Sequence, residues 1–362
     1  MKIVHTEASL GFGGQELRIL NEADGLKKRG HELTLICPEE AEIYRIGKSR
    51  GLDVVALPVG KKNWAGIMAL RGWITRYRPD VINTHSSADS WMVALATRFM
   101  KNRPAVVRTR HISAPVANNI TSRWLYTRSC DHVVTTGEKL RETFINENGY
   151  PSSHITSVRT GIDLARFKPG DRLEARRIVG LNENDVIIGI VATLRSWKGH
   201  ADLIDAFAAL PREANLKLLI VGDGPQDEAL RRKVAELGLK ERVLFAGRQN
   251  NVENWMRAMD IFCLPSYANE GVPQSLMQSQ ACGIPAITTL VGSIDEAVIP
   301  GESALIVPPR NVASLADALG ILAGDESKRV RMGLAAAKQA AGNFSEKTML
   351  DKMEAIFTGT VQ

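Results

Sequence analysis

The stretch IFCLPSYANEGVPQSLMQSQAC, residues 261–282, decides the fold class. It opens with an apolar run that is typical of a buried strand, and a helix-like segment follows from Gln274. Between them a single acid, Glu270, stands directly before Gly271-Val272-Pro273. A buried strand that leads through a loop into a helix is the repeating unit of parallel α/β sheets. Ligands of such sheets bind beyond the carboxyl ends of the strands, so Glu270 is a candidate ligand contact.

The same alternation of short β-branched runs and longer amphipathic runs continues in both directions from this stretch. It forms two series, which predict an α/β protein of the GT-B type of architecture, with two Rossmann-like, doubly wound parallel-sheet domains that face a central cleft. The first series has predicted strands at 2–8, 32–38, 53–58, 80–85, 105–110 and 131–136, and the second at 185–194, 216–224, 242–247, 260–265 and 285–289.

The segment 159–171, which contains Gly161, is the predicted hinge between the two series. We therefore predict an N-terminal domain over residues 1–168 and a C-terminal domain over residues 169–344. A helix at about 345–360, with Met349 and Met353 on its apolar face, is expected to join the N-terminal domain.

Composition and charge narrow the class of protein. The chain has 362 residues, of which 44% are hydrophobic, and no apolar run reaches the roughly 18 residues that span a bilayer. The apolar segment at the N-terminus is too short for a signal peptide. The four cysteines are far apart, so we expect buried thiols of a cytoplasmic protein and neither a disulfide framework nor a zinc site.

The net charge of +6 is unevenly distributed. Residues 1–170 hold 25 Lys and Arg against 16 Asp and Glu, whereas the remainder holds 21 against 24. A basic N-terminal half predicts an acidic partner, such as phosphates, an anionic membrane face or nucleic acid, and ordinary surface variation is the alternative.

The first predicted strand ends in the glycine-rich loop SLGFGGQE, residues 9–16. Backbone N–H groups at Gly13 and Gly14 could approach an anion at the start of the next helix. The spacing is G-x-G-G, and a dinucleotide site needs G-x-G-x-x-G with an acid after the next strand. Glu39 lies near that place, so NAD binding and a structural turn without a ligand both stay open.

Charged side chains follow two further strands. Arg108, Arg110 and His111 stand at the end of the strand at 105–110, with a packing histidine as the alternative for His111. Arg195 and Lys198 follow the strand at 185–194, where two cations suit a diphosphate and a solvated basic loop is the alternative. The loops at Gly222 and Arg248 are weaker candidates for contacts with a nucleotide base.

The loop at Glu270 adds two features. Helix N–H groups after Pro273 could hold a phosphate, and the Glu270 carboxylate could accept hydrogen bonds from sugar hydroxyls. Gln278, eight residues after Glu270, could reach the same ligand.

Three motifs, taken together and in register, resemble the retaining GT-B glycosyltransferases of family 4 (group 1). They are E-G-x-P with a polar residue eight after the Glu, the Lys-Gly after the first strand of the second domain, and the N-terminal Gly-Gly loop. The resemblance implies a nucleotide-diphosphate sugar bound mainly by the C-terminal domain and an acceptor bound by the N-terminal domain. No convincing D-x-D motif follows a strand, so we expect no metal, and we expect no cofactor besides the nucleotide sugar. The resemblance also implies catalytic roles for Glu270, His111 and Lys198. The implied donor contacts are Gly13, Gly14, Thr193, Arg195, Lys198, Gly222, Arg248, Glu270, Gly271, Val272, Pro273 and Gln278, and the implied acceptor contacts are Arg108, Arg110 and His111.

The sequence departs from the family's pattern at three positions. The second Glu of the E-x7-E motif is Gln278, an amide that can accept from ribose hydroxyls without charge. The arginine five residues before the lysine is Thr193, so Arg195 is expected to supply that charge. The Asn-Gly of the inter-domain segment is Thr160-Gly161.

The resemblance implies transfer of a hexosyl unit, with UDP favoured over GDP, to a sugar of lipopolysaccharide or another envelope glycan. The segment 61–78 carries Trp64, Trp73 and several basic residues, so it could lie on an anionic membrane or simply cover the sheet. The expected location is cytoplasmic, with peripheral contact at the inner face of the membrane.

The alternative functions are an NAD-dependent dehydrogenase, a sugar-nucleotide epimerase on the same fold and a non-catalytic binding module. Aromatic-basic interleaving typical of nucleic-acid binding is missing.

Overall fold

The structure is a computed structural model that describes residues 1–111, 116–211, 215–268 and 270–361. Its contacts divide the chain into two compact units. Unit 1 is Met1–Gly161 with Lys347–Gln362, and unit 2 is Ile162–Glu346. The predicted α/β class with two parallel-sheet domains is confirmed, and the change of unit at Gly161 falls inside the predicted hinge segment.

Unit 1 is built around a parallel sheet that has seven strands in the described residues, in the order β3-β2-β1-β4-β5-β6-β7. Apolar residues cover both faces of this sheet, as the near-continuous hydrophobic runs of parallel strands require. The strands are β1 (Lys2–Thr6), β2 (Glu32–Cys37), β3 (Asp53–Ala56), β4 (Val81–Thr84), β5 (Ala105–Arg110), β6 (His132–Thr135) and β7 (Ile155–Ser157).

The helices of unit 1 follow its strands and pack on the sheet. They are α1 (Gly14–Lys28), α2 (Glu42–Ser49), α3 (Trp64–Tyr77), α4 (Ser87–Thr97), α5 (Ile120–Thr127) and α6 (Glu138–Asn146). The chain returns to this unit with its last helix, α14 (Glu346–Val361). Met349 and Met353 of α14 are buried in the unit 1 core, as the sequence predicts. Gly25 of α1 lets the two helices approach closely, because a Cβ there would lie 2.4 Å from Cδ1 of Leu350.

Unit 2 repeats the plan with a parallel sheet of six strands in the described residues, ordered β10-β9-β8-β11-β12-β13. One apolar core fills both faces of this sheet. The strands are β8 (Val186–Val191), β9 (Leu216–Val221), β10 (Val243–Gly247), β11 (Ile261–Leu264), β12 (Ala286–Thr288) and β13 (Ala304–Ile306). The helices are α7 (Arg172–Val179), α8 (His200–Ala208), α9 (Asp227–Glu236), α10 (Val252–Arg257), α11 (Gln274–Ala281), α12 (Val312–Gly324) and α13 (Glu326–Asn343).

The four cysteines are buried and free. Burial raises the pKa of Cys37, Cys130 and Cys282 to about 12, and it raises the pKa of Cys263 as well. The prediction of buried thiols is therefore confirmed. Among the helices in the described ranges, none combines the length and apolar character that crossing a membrane demands.

Candidate active site

In each sheet, the order in which the chain adds strands reverses at one pair of neighbouring strands. In unit 2 the chain runs outward from β8 through β9 to β10 on one side, and from β11 to β13 on the other. In unit 1 the same reversal lies between β1 and β4. We call each such place a switch point. The connections leave it on opposite sides, so a crevice opens there at the carboxyl ends of the strands.

The switch point of unit 2 holds a buried ion pair. Nζ of Lys198, which follows β8, lies 2.6 Å from Oε1 of Glu270, which follows β11. The hydroxyl of Ser266 donates to the same carboxylate oxygen at 2.6 Å. Glu270 is only 4% exposed, whereas the side chain of Lys198 keeps 21% of its surface accessible. The structure thus brings together the two residues that the sequence singles out in this unit.

Backbone geometry sets the distance between these two residues. Gly199 has a φ of +77°, and a Cβ at this position would lie 2.2 Å from the carbonyl oxygen of Pro265. Only glycine permits both the left-handed backbone and this close approach. A hydrogen bond from the Tyr267 N–H to the Trp197 carbonyl, at 2.9 Å, ties the same two loops together.

The segment after Glu270 leads into helix α11. Val272 and Pro273 are buried, Gly271 is half-buried, and Pro273 is the residue that precedes the helix. Proline suits this place because the first N–H groups of a helix have no intrahelical partner. Gln278 lies on the buried side of α11, and the residue is 9% exposed.

The loops after β8, β9 and β10 are bonded to one another. The N–H of Leu194 donates to the Asp223 carbonyl, and the N–H of Gly222 donates to the Gly247 carbonyl, both at 2.8 Å. Gly222 has a φ of +141°, and a Cβ there would lie 2.1 Å from the Ala192 carbonyl oxygen. These contacts make Gly222 a close-packing residue.

The remaining predicted donor contacts of unit 2 lie at the same edge of the sheet. Thr193 is half-buried, while Arg195 and Arg248 are exposed. The guanidinium of Arg195 lies 5.3 Å from the ring of Trp197, which directs it along the loop that carries Lys198.

Two carboxyl groups accept hydrogen bonds from backbone N–H groups in and next to the glycine loop of unit 1, residues 9–16. The N–H of Gly13 donates to Oε2 of Glu16 at 2.8 Å, and Gly14 is the first residue of α1. The N–H groups of Ala8 and Ser9 donate to Oε1 of Glu7 at 2.8 and 2.7 Å. Burial and the neighbouring Asp89 raise the pKa of Glu7 to about 8. An incoming phosphate at Gly13 would compete with the Glu16 carboxylate.

His111 belongs to a chain of three imidazoles that starts at the switch point of unit 1. Nε2 of His111 lies 2.9 Å from Nδ1 of His85, and Nε2 of His85 lies 2.8 Å from Nδ1 of His5. His5 is in β1, His85 follows β4 and His111 follows β5. Burial lowers the pKa of His5 to about 3, and it lowers the pKa of His85 and His111 well below the usual value.

The side chains of Arg108 and Arg110 lie on one face of β5, opposite to the side on which His111 follows the strand. Arg108 is buried, with its guanidinium 4.4 Å from the ring of Tyr126 and Nη2 donating to the Tyr126 hydroxyl at 3.1 Å. Arg110 is half-buried, and burial lowers its pKa. Arg108 therefore packs against Tyr126 inside the unit, whereas Arg110 and His111 lie nearer the surface. Acceptor binding by these three residues stays a prediction.

Two family descriptions match successive parts of this chain. "Glycosyltransferase Family 4" matches residues 12–166, and "Glycosyl transferases group 1" matches residues 171–339. The D-inositol 3-phosphate glycosyltransferase of Nocardia farcinica is 32% identical over 320 residues, which cover 85% of this chain and 68% of that protein. The chain belongs to glycosyltransferase family 4, group 1. The resemblance inferred from Glu270, Lys198 and the glycine loop is confirmed.

Other proteins share sequence or fold with this family 4 member. N-acetyl-alpha-D-glucosaminyl L-malate synthase of Bacillus anthracis is 28% identical over 286 residues, covering 77% of this chain and 74% of that protein. The crystal structure of Anabaena Alr3699/HepE in complex with UDP-glucose superposes with a TM-score of 0.87 at 22% identity, covering 99% of this chain and all of that one. This structural likeness confirms the GT-B fold.

Several residues of the two switch points were not predicted from sequence. Ser266 follows a buried strand, as the predicted residues do, so its place on the strand end was a usable signal. His85 also directly follows a strand, so the same signal was available for it. His5 and Glu22 gave no such signal, because they lie inside a strand and a helix and their contacts join residues that are far apart in the chain. Within the described ranges, no group of three or more His, Cys, Asp or Glu side chains is placed to hold a metal ion.

Proposed function

We propose that this glycosyltransferase moves a hexosyl unit from a nucleotide-diphosphate sugar, with UDP favoured over GDP, to a hydroxyl of a cell-envelope glycan such as lipopolysaccharide or a lipid-linked oligosaccharide. In this proposal the anomeric configuration is retained and no divalent metal or other cofactor takes part. The observation that carries it is the buried contact of Lys198 with Glu270 at the switch point of unit 2.

This ion pair is suited to a site that binds a charged ligand such as a diphosphate. The contact with the Lys198 ammonium offsets part of the cost of burying the Glu270 carboxylate. When a diphosphate arrives, the ammonium of Lys198 can turn to it, and Glu270 keeps the hydroxyl of Ser266 as a donor. The carboxylate then accepts hydrogen bonds from hydroxyls of the transferred sugar, whose binding replaces the lost ion pair.

Departure of the diphosphate builds negative charge on the leaving oxygen. In our proposal Lys198, Arg195 and the N–H groups at the start of α11 stabilise that charge, which is the work a metal ion does in other transferases. Retention then requires same-face attack, in which the departing phosphate helps to take the proton of the acceptor hydroxyl and His111 positions the reacting groups.

The experiment that tests the donor is thermal unfolding with UDP, GDP, ADP, TDP, their common sugar conjugates and NAD. A ligand present at about 100 times its Kd adds about 2.7 kcal/mol of stability. We expect the largest shift in unfolding temperature with one UDP-sugar, and we expect EDTA to leave that shift unchanged. With an α-linked donor, NMR of the product should show an α linkage. A shift with NAD alone, or loss of turnover in EDTA that Mg²⁺ restores, would contradict the proposal.

A second class of acceptor is favoured by the names of the relatives. Inositol 3-phosphate and malate, which those names contain, are small anionic molecules. The excess of basic residues before residue 170 suits such an acceptor as well as a phosphorylated glycan. Turnover of the identified donor with inositol 3-phosphate, malate and a lipopolysaccharide core separates the two: the envelope-glycan proposal requires transfer to the core and none to the small anions.

We also propose that the enzyme works at the cytoplasmic face of an anionic membrane, through a surface formed by helices α3, α4 and α5. Large apolar side chains on these helices are exposed, and basic groups lie against their aromatic neighbours. Nζ of Lys62 lies 5.3 Å from the Trp91 ring, and the Arg98 guanidinium lies 5.2 Å from the rings of Phe99 and Trp124. This α3–α5 surface comprises the exposed residues Trp64, Met68, Leu95, Phe99 and Ile120 with Lys62 and Arg98.

Sedimentation with vesicles tests this membrane contact. We expect binding to phosphatidylcholine vesicles that contain phosphatidylglycerol, weaker binding at high salt, and further loss when Trp64 and Phe99 are both changed to Ser. The exposed apolar residue Leu334 of unit 2 provides the matched control, Leu334→Ser. Equal binding to purely zwitterionic vesicles would contradict the role of charge.

A further inference from the structure

The three histidines of unit 1 form a hydrogen-bonded wire that runs from a buried ion pair to the surface. His5 is fully buried, His85 is 4% exposed and His111 is half-buried. Their ring centroids are 5.1 Å apart at both steps, with interplanar angles of 17° and 35°. Such spacing, with nitrogen atoms 2.8 and 2.9 Å apart, places the rings end to end, so each contact is an N–H···N hydrogen bond.

All N–H bonds of this wire must point the same way. Burial keeps the three imidazoles neutral, because it lowers the pKa of each. A neutral imidazole has one N–H donor and one acceptor nitrogen. His85 uses both nitrogens within the wire, so it donates to one neighbour and accepts from the other. The wire therefore has two states, with the protons directed either inward or outward.

The inner end of the wire faces a carboxylate. Oε1 of Glu22 lies 3.9 Å from Nε2 of His5, a nitrogen that has no hydrogen-bond partner among the described residues. Nδ2 of Asn83 donates to the same oxygen at 3.3 Å. Oε2 of Glu22 lies 3.5 Å from Nε of the fully buried Arg18. Burial raises the pKa of Glu22, whereas the charge of Arg18 and the hydrogen bonds from Arg18 and Asn83 lower it. Because an arginine remains charged in proteins, we treat the contact of Glu22 with Arg18 as an ion pair.

A negative charge at the inner end favours one proton direction. The inward state places a proton on Nε2 of His5, towards Glu22, whereas the outward state would turn a lone pair towards the carboxylate. Nη1 of Arg18 donates to the Val158 carbonyl and the Thr160 hydroxyl, at 2.7 and 3.3 Å, and the Arg18 charge helps to lower the pKa of all three imidazoles. The charged group 3.9 Å from Nε2 of His5 is the Glu22 carboxylate.

We infer that Glu22, acting through His5 and His85, holds His111 in the tautomer protonated at Nε2, so that Nδ1 of His111 meets substrate as a hydrogen-bond acceptor. Glu22, His5 and His85 are positioning residues for the glycosyl transfer. The inference deepens the proposed function, since it rests on His111 lying near the reacting groups. It specifies that His111 accepts from a substrate hydroxyl.

NMR of the ligand-free protein labelled with ¹⁵N-histidine tests the tautomer without any assay of activity. We expect Nε2 of His111 to be protonated and Nδ1 to be unprotonated in the wild type. In Glu22→Gln the inner charge is lost, and we expect both tautomers of His111 to be populated. A wild-type His111 protonated at Nδ1, or a Glu22→Gln spectrum unchanged at His111, would overturn the inference.

Two further variants keep the test sharp. Removal of the Glu22 charge leaves Arg18 without its partner, which can unfold the protein. His85→Leu interrupts the wire and leaves the ion pair intact, so His111 should again show both tautomers. Phe357→Leu is the matched control, because Phe357 packs edge-on against His5 at 6.4 Å and belongs to no hydrogen bond of the wire. Its His111 tautomer should remain that of the wild type.

Kinetics separates this inference from the proposed function. In Glu22→Gln and His85→Leu we expect kcat to fall about 10- to 100-fold, as when a group that orients a metal-binding histidine is removed, while KM for the donor changes little. Phe357→Leu should keep kcat. Equal loss of kcat in Phe357→Leu would overturn the positioning role. A wild type inactive with every donor would instead contradict the proposed function and leave the tautomer result standing.

Discussion

The two switch points occupy equivalent places in sheets of the same plan, yet their chemistry is opposite. The switch point of unit 1 is lined by neutral imidazoles that burial holds in the uncharged form. The switch point of unit 2 is lined by an ammonium and a carboxylate in direct contact. Strand order determines where a ligand can meet the sheet, whereas the residues after each strand determine which charges that ligand encounters.

This difference suits the two halves of a transfer reaction. In the proposed function, a leaving diphosphate carries charge and needs a cation, and Lys198 of unit 2 is the proposed one. An acceptor hydroxyl is neutral and is best oriented by groups that accept a hydrogen bond without attracting competing anions. Under the proposed function, the two units divide donor and acceptor chemistry between two copies of the same topology.

The largest test of the comparison is removal of the charge at the unit 2 switch point. We expect Glu270→Ala to lower kcat/KM by about 100- to 1,000-fold, the usual cost of losing one preorganised polar contact in an active site. The matched control is Glu228→Ala, whose side chain is 90% exposed, and it should turn over normally. Normal turnover in a folded Glu270→Ala variant would remove unit 2 from the chemistry.

A second test concerns the backbone that brings Lys198 to Glu270. We expect Gly199→Ala to destabilise the protein by about 3 kcal/mol, because it combines left-handed backbone strain with the Pro265 clash. Gly301→Ala has nearly the same φ, +78°, but open space around the new Cβ, so it should cost about 1 kcal/mol. Urea unfolding measures both. Equal losses would show that the close approach of the two loops is unimportant.

A third test sharpens the contrast in protonation. The pKa of Glu7 in the folded state is raised from 4.5 to about 8, so the folded protein holds this proton more tightly than the unfolded chain does. The contribution of Glu7 to stability should therefore fall as pH rises from 4.5 to 8, by up to about 1.4 kcal/mol for each pH unit.

The measurement is the difference in unfolding free energy between the wild type and Glu7→Gln across this pH range. The neutral amide does not titrate, so the Gln variant should gain on the wild type as pH rises. The same comparison with Glu40→Gln, at an exposed residue, should give a flat difference. A flat difference for Glu7→Gln would show that the buried switch point of unit 1 does not shift this carboxyl.

The smallest expected effect is at Gln278. Charge-assisted hydrogen bonds are stronger than neutral ones, so we expect Gln278→Glu to tighten UDP binding about fivefold. Calorimetry with UDP measures this change. Gln280→Glu, also buried in α11, controls for the cost of placing a new charge inside the helix packing and should bring no gain in affinity. Weaker binding in Gln278→Glu would show that the amide suits this nucleotide better.

Much of the fold could be predicted because parallel strands that are buried on both faces read as continuous apolar runs. Every predicted strand is present, although the structure ends β9 at Val221 and β1 at Thr6, before the predicted ends. The sequence did not predict β7 and β13, which have three residues each and lie at the sheet edges. Three residues are too few for a periodic pattern to stand out.

The candidate site was predictable where a residue's position after a strand was informative by itself. Lys198 and Glu270 were identified on that ground, and their 2.6 Å contact agrees with it. The imidazole wire was not predictable, because His5 sits inside a strand and its partner His85 is 80 residues away. Strand order, and not local pattern, decides that β1 and β4 are neighbours.

The burial of all four cysteines gives each unit its own internal reporter of opening. Cys37 and Cys130 lie in unit 1, and Cys263 and Cys282 lie in unit 2. A thiol with a raised pKa and no solvent access reacts with an alkylating reagent only when its surroundings unfold. Pulsed alkylation read by peptide mass would therefore time the opening of the two units separately in one sample, without any engineered label.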